Sequence, residues 1–374
     1  MTSPDAAGAP TDATGDRSGA LPGRTSERAS APHQPDRSAR VGDLGEADLL
    51  AAFLPRLPRG AHDEVANGDD AAVLRIGDPR VVATVDTLVE DRDYRAVWPN
   101  GRVTAGHDVG FKGVAQNLSD LNAMGAEPIG LLVSLAMPPE TSVDWVLSLA
   151  DGIADAIGTL GAAGCSVAGG DLSGAREVVL TITALGRLTD AGPVLRSGAR
   201  PGDELAVAGR VGEAAAGLAL LETAAPLSDR PGVATDPDVA VLVEDLILSQ
   251  LRPRPPLGVG VAAARAGAHA LMDLSDGLVR DAGRLARASG VRIDLDTGRL
   301  ARFADRLAPA AALLGADPMA WCVAGGEDFG LVAAFAPGTV PEGFTAIGSV
   351  ADGPGELLVD GRPSKRTGWD HFAA

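Results

Sequence analysis

The sequence predicts an α/β (α+β) protein of two domains behind a long polar tail, and three observations carry that prediction. β-type apolar runs alternate with helically spaced apolar stripes through both halves of the chain. At Ala270–Leu278 an apolar run ends in two carboxylates flanking a hydroxyl, and Leu278, Ala282, Leu285 and Ala286 then recur at helical spacing, which reads as strand, acidic turn, helix. The length of 374 residues suggests two or three domains.

Composition narrows the class of function. With 45% hydrophobic and 22% charged residues the chain can build a sizeable core, and with only 3% aromatic residues that core is aliphatic. A net charge of -18 opposes binding to nucleic acid or to an anionic membrane and suits cations. The basic residues are nearly all arginine, which forks onto phosphate; the lysines are Lys112 and Lys365. Cys165 and Cys322 are far apart and the five histidines are scattered, so neither a zinc site nor a disulfide framework is expected. With no bilayer-length apolar run and no basic start leading into an apolar segment, the expectation is a cytoplasmic protein with no membrane partner.

Residues 1–41 lack apolar periodicity and read as a disordered tail. Structure is expected to begin near Leu44, with Leu49, Leu50, Phe53 and Leu54 on one helical face. An N-terminal domain at 42–190 then takes in strands at Val73 and Val81–Leu88 and a helix from Gly106 to Gly125. It continues with a strand at Ile129–Ala136, a helix from Val143 to Leu160, a strand ending on Gly169-Gly170-Asp171, and a strand from Val178 to Leu185. A C-terminal domain at 191–374 holds a strand at Glu204–Ala208 and helices over Glu213–Glu222 and Asp238–Leu251. It also carries a loose connection from Pro226 to Pro237, the acidic strand–turn–helix and a glycine–carboxylate turn at Ala324–Leu331.

The candidate chemistry lies in the acidic turns, each of which has an ordinary reading beside the functional one. Asp-Leu-Ser-Asp-Gly at 273–277 is either a helix start capped by Ser275 or Asp276, or a paired-carboxylate cation site. Gly68-Asp69-Asp70 is a hairpin turn or a ligand turn, and Asp120 sits on a solvated helix face or in a site. Asp86, inside a strand read as buried, needs a partner, since an unpaired buried carboxylate is costly. Together Asp69, Asp86, Asp120, Asp171, Asp273 and Asp276, without histidine or cysteine beside them, favour hard divalent cations neutralising a polyphosphate, the arrangement of phosphoryl transfer. Gly258–Ala263 matches a dinucleotide fingerprint but follows prolines instead of a strand. Asp328-Phe329-Gly330 lacks the other protein-kinase motifs, and no Walker loop occurs.

Eight blocks, in order, resemble the thiamine-monophosphate kinase family of the aminoimidazole ribonucleotide synthetase-like ATP-binding superfamily over residues 44–373. They are Gly68-Asp69-Asp70, Val85–Val89, Gln116–Ala126, Gly169-Gly170-Asp171, Arg196–Asp203, Asp273–Leu278, Gly325–Asp328 and Trp369–Phe372. The resemblance implies two α/β domains with mixed sheets covered by helices, a homodimer formed through the first domain, and ATP and several Mg2+ as co-substrate and cofactor. It implies direct in-line phosphorylation of thiamine monophosphate to thiamine diphosphate, the last step of that cofactor's biosynthesis. Carried over, it assigns Asp69, Thr84, Val85 (by its backbone), Asp86, Asp120, Asp171, Asp273 and Asp276 to magnesium. Gly170, Asp171, Arg196 and Ser275 go to ATP, and Glu327 and Trp369 to the thiamine end. Where the family usually has a histidine after Asp-Thr-Leu, this chain has Asp93: either Asp93 takes that substrate position, or neighbouring Arg92 meets the phosphate instead, or the loop is replaced. No side chain is expected to act as general base, because a phosphate nucleophile is already anionic. The alternatives are another ATP-dependent synthetase of the superfamily, which is not expected to share the Gly-Gly-Glu and Gly-Trp-Asp-His pair, and a non-catalytic protein that binds divalent cations or nucleotide.

Overall fold

A computed structural model describes residues 38–65, 73–77, 80–224 and 231–369. Gly68-Asp69-Asp70 and Asp370-His371-Phe372 therefore lie outside the described residues, as does the tail through residue 37. Structure begins slightly ahead of Leu44: Arg40 pairs with Ser142 in a β-bridge and the Val41 amide donates to Thr141.

The first half runs α1 (Glu46–Phe53), β1 (Asp63–Val65), β2 (Val73–Leu74), β3 (Val81–Val89), α2 (Gly106–Ala123), β4 (Ala126–Met137), α3 (Val143–Thr159), β5 (Ser166–Gly174) and β6 (Val179–Leu188). β3, β6, β4 and β5 form a four-stranded sheet in that order, antiparallel except for the β4–β5 pair. Leu131, Val133 and Leu135 of β4 and Leu180, Ile182 and Ala184 of β6 point to one face and pack with Phe111, Val114 and Leu118 of α2 and Leu149 and Ile153 of α3. The other face is open. Val81 and Val85 of β3 and Leu132 of β4 are 46%, 57% and 42% exposed, so β3 is not the buried strand its composition suggests. Alternation along a strand puts Thr84 and Asp86 on the packed face and Val85 on the open one.

The second half runs β7 (Glu204–Ala208), α4 (Glu213–Leu221), α5 (Pro231–Thr235), α6 (Pro237–Leu251), α7 (Val259–Arg265), β8 (Ala270–Asp273), α8 (Leu278–Ser289) and β9 (Val291–Leu295). It ends with α9 (Thr297–Leu314), α10 (Pro318–Ala324), β10 (Leu331–Phe335), β11 (Phe344–Asp352), β12 (Glu356–Val359) and β13 (Arg362–Pro363). Part of the stretch expected to be loose, Pro231–Thr235, is a short helix. The strands form one mixed sheet in the order β13-β12-β9-β11-β7-β10-β8. Its β7, β8, β9 and β10 side chains pack with α4, α6, α8 and α9 in an aliphatic core. A smaller cluster on the opposite face joins Ala206, Leu271, Leu331 and Phe335 to Ala123 at the end of α2 and to Ala263 of α7.

α2 therefore lies between the two sheets, and all its 18 residues except His107 and Asp120 are buried. Its approach to α3 is closer than side chains allow. A Cβ on Gly110 would stand 2.2 Å from the Leu149 carbonyl oxygen, and one on Gly152 would stand 2.1 Å from that of His107. Gly110→Ala should therefore force the helices apart and lower stability by about 1–3 kcal/mol in urea unfolding. Gly158→Ala on α3, where a Cβ meets nothing within 4 Å, should instead gain up to about 1 kcal/mol. Equal shifts in the two variants would show that the helix seam does not control stability.

Candidate functional site

Asp273 is the last residue of β8, paired with Leu331 of β10 and 7% exposed. Beyond it the acidic turn is held by the glycine–carboxylate turn: Leu274 donates to Gly330, Phe329 to Leu274 and Glu327 to Ser275 through backbone amides. Glycine is required where the turns touch, since a Cβ on Gly326 would stand 2.6 Å from the Ser275 carbonyl oxygen. The ordinary capping reading is not realised. Gly277, at φ 105°, is the N-cap of α8, and no side chain caps that helix. Instead Asp328, wholly buried, reaches across to accept from the Gly212 and Ala214 amides at the start of α4, and burial pushes its carboxyl up to about 7.

From the first half, Thr84 Oγ1 donates to Asp120 Oδ2 at 2.5 Å, and the Asp86 amide donates to Asn117 Oδ1 at 3.1 Å, which ties β3 to α2. Asp120, in the last turn of α2, is partly buried and not on a solvated face. Burial raises its carboxyl, against the Thr84 hydrogen bond and the Arg196 guanidinium. Asp273 is raised well above the ordinary carboxylate range, first by burial and then by repulsion from Asp120, Asp281 and Asp86, with Arg196 opposing. Three carboxylates spaced along the chain by 34 and 153 residues thus come together at Asp273, where Asp86 and Asp120 both act, and Arg196 opposes at Asp120 and Asp273. The loop carrying Arg196 is pinned beneath it. The Gly198 and Ala199 amides donate to Ser289 Oγ, and Asp203 accepts from the Arg200 amide and from His269 Nδ1.

Other predicted positions lie elsewhere. The Asp276 carboxylate faces α8, 2.7 Å from Arg284 and 3.6 Å from Arg280, while its carbonyl accepts the Trp369 amide. Glu327 and Trp369 thus hang from consecutive carbonyls of one turn. Asp171 takes the Ser173 hydroxyl at 2.7 Å on the edge strand β5. The row Asp86, Ile182, Val133, Gly170 crosses all four strands, so Gly170 and Asp171 lie about 14 Å from Asp86 at normal strand spacing. Asp93 turns its carboxylate back to the Val89 amide. Asp69 lies outside the described residues.

Among the described residues no three histidine, cysteine or carboxylate side chains close into a ready-made cage. The donor chemistry nevertheless fits a hard cation. Thr84, Asp86, Asp120 and Asp273 offer only oxygen, and raised carboxyls repelling one another are what a divalent cation relieves. Magnesium in phosphoryl-transfer sites uses one or two carboxylates completed by water and substrate phosphates, so a protein cage is not required.

Sequence reasoning missed Gln250, Asp281, Arg280 and Arg284, which have no motif of their own, and assigned Lys112 no role. Burial is what distinguishes Lys112: its side chain is 4% exposed and lies 2.6 Å from Glu327 Oε1. Its rarity among arginines was the one available signal.

Comparison with known proteins places this geometry. Residues 68–188 match the family model for the AIR synthase related protein N-terminal domain. The chain is 42% identical over 344 residues to the thiamine-monophosphate kinase of Mycobacterium tuberculosis, covering 90% of this chain and 94% of that one. It is 35% identical over 338 residues to that of Corynebacterium glutamicum, covering 89% and 95%. The fold is similar to the crystal structure of thiamine-monophosphate kinase from Stenotrophomonas maltophilia (TM-score 0.68, 30% identity, 84% and 97% covered). It is also similar to AaThiL complexed with AMPPCP and TMP (TM-score 0.66, 28% identity, 90% and 100% covered). With that identity extending over nine-tenths of its length, the chain belongs to the thiamine-monophosphate kinase family.

Proposed function

We propose that this protein transfers the γ-phosphoryl group of ATP to thiamine monophosphate, giving thiamine diphosphate and ADP, the last step in making that cofactor. The observation that carries the reading is the approach of Asp86 and Asp120 to Asp273, with Arg196 beside Asp120 and Asp273, in a chain so closely related to known kinases of this substrate. A terminal phosphate oxygen of the substrate attacks the γ-phosphorus in line. The new O–P bond forms as the bond to the β-phosphate oxygen breaks, and ADP leaves with that electron pair. The attacking oxygen is anionic near neutral pH, so no side chain need remove a proton.

Arg196 and Ser275, with Gly170 and Asp171, are assigned to ATP. Glu327, Trp369 and the Asp93 turn are assigned to thiamine monophosphate, the indole offering a face to a cationic ring. Several Mg2+ ions would be held by Asp69, Thr84, the Val85 backbone, Asp86, Asp120, Asp171, Asp273 and Asp276, supplying positive charge between two polyanions. Gly170 and Asp171 lie a sheet's width from Asp86, a separation that suits a nucleotide lying between two subunits. The open face bearing Val81, Val85 and Leu132 is the surface through which a homodimer forms. The two cysteines are free and buried, which suits a reducing cytoplasm, and no described helix is long and apolar enough to cross a membrane.

Purified protein with ATP, Mg2+ and thiamine monophosphate should form thiamine diphosphate; its absence across a range of Mg2+ concentrations would overturn the reading. Asp273→Asn should lower kcat by about 100-fold or more. It should leave the unliganded melting temperature unchanged or higher, because it removes a buried carboxylate that repels its neighbours. A variant with normal turnover would place the phosphates elsewhere. Leu132→Glu should convert dimer to monomer in light scattering and reduce activity with it. A fully active Leu132→Glu dimer would exclude this face as the interface. Trp369→Ala should raise KM for thiamine monophosphate by roughly 2- to 30-fold, the worth of a cation–π contact, with little change in KM for ATP. The opposite split would reverse the substrate assignment.

A further inference from the structure

Lys112 lies in the buried helix α2 with its side chain 4% exposed, and a lysine in that position needs compensation for its charge. Its Nζ donates to Glu327 Oε1 at 2.6 Å and to the Asp93 carbonyl at 3.1 Å. Two of the three substrate positions assigned from the sequence, Glu327 and the Asp93 turn, distant along the chain, therefore meet on one ammonium. The second carboxylate oxygen of Glu327 accepts from Gln250 Nε2 of α6 at 2.5 Å. Gln250 is 2% exposed, and its Oε1 has no partner among the described residues. The amide is oriented so that Glu327 receives a donor, and the cost is an orphaned buried acceptor.

Glu327 itself sits at φ 66°, a left-handed conformation uncommon for a residue with a Cβ, held by the hydrogen bond that its backbone N–H donates to the Ser275 carbonyl at 2.8 Å. A strained backbone, an orphaned acceptor and a buried lysine converge on one carboxylate that is still 31% exposed. With an ammonium 2.6 Å away, the pair has no net charge, and a cation beyond it feels attraction and repulsion that largely cancel. What remains is an aimed hydrogen-bond acceptor.

We propose that Lys112 and Gln250 are positioning residues that hold the Glu327 carboxylate aimed, and that Glu327 recognises a neutral N–H donor, such as the exocyclic amine of the substrate's aminopyrimidine, instead of pairing with its cationic ring. The inference rests on the assignment of Glu327 to thiamine monophosphate.

Steady-state kinetics of Lys112→Met, Gln250→Ala, Glu327→Gln and Glu327→Ala test it, using thiamine monophosphate and its analogue in which the exocyclic amine is replaced by oxygen. Lys112→Met should raise KM for thiamine monophosphate by about tenfold or more, the cost of a lost charge-assisted hydrogen bond. KM for ATP should stay within about twofold, a split that general loosening of the fold would not produce. Gln250→Ala should raise the same KM by about three- to tenfold while leaving the melting temperature unchanged or higher, and it carries the test if Lys112→Met does not fold. Glu327→Gln, which keeps an oxygen acceptor, should lose less than Glu327→Ala. The oxygen analogue should bind the wild type more weakly than thiamine monophosphate, and Glu327→Ala should lose that discrimination. Equal damage from Glu327→Gln and Glu327→Ala, or unchanged KM in both positioning variants, would overturn the proposal. A wild type that turns over other phosphate acceptors but not thiamine monophosphate would instead overturn the substrate assignment.

Discussion

A buried helix with polar side chains must find partners for most of them, and in α2 that requirement organises the molecule. Asp108 pairs with Arg252, Lys112 with Glu327 and the Asp93 carbonyl, and Asn117 with the Asp86 amide and its own helix. Ser119 donates to the Phe329 carbonyl, while Asn122 bonds Pro256 and Gly260. Apart from the Asn117 bond within the helix, these bonds reach from α2 into β3, the Asp93 turn, the residue that ends α6, the segment leading into α7 and the glycine–carboxylate turn. An unsatisfied buried polar group costs the full price of its desolvation, so these contacts fix the register of the two halves more sharply than aliphatic packing does. Glycines at the α2–α3 seam make the close approach possible on the other side.

That same register brings carboxylates into mutual repulsion. Asp273 would be more comfortable alone, since Asp120, Asp281 and Asp86 all raise it. The fold tolerates this because the surrounding backbone is over-determined. The acidic turn and the glycine–carboxylate turn are laced by amide hydrogen bonds, Asp328 anchors the second turn to α4, and the C-terminal segment is tied down through Trp369. Unfavourable electrostatics held in place by rigid neighbours is the condition in which a site gains most from binding cations and phosphates.

Much of this was legible in the residues. Period-two and helical spacing located most of the strands and helices, because each buries one face and the pattern records it. The acidic turns were visible because a carboxylate beside an apolar run needs an explanation. The open face of β3 was not legible: its valines read as buried, and only the folded structure shows that none of the described helices covers them. Nor was the placement of Asp120, which a helical wheel leaves on a polar stripe and the structure sets against Thr84. Gln250 and Asp281 carry no local pattern, because their role depends on what lies across a gap in the fold.

The amino-acid sequence by itself determined the α/β class, the alternation of elements, the acidic turns and the family, since these rest on local spacing and on residue types in order. Only the tertiary structure decided that Asp86 and Asp120 act on Asp273, with Arg196 opposing at Asp120 and Asp273, while Asp276 turns to α8 and Asp171 sits at the far edge of a sheet. It also decided that a single buried lysine joins the Asp93 turn to Glu327. Coulombic and hydrogen-bonding energies depend on distance through space, and distance between residues far apart along a chain exists only once the chain has folded.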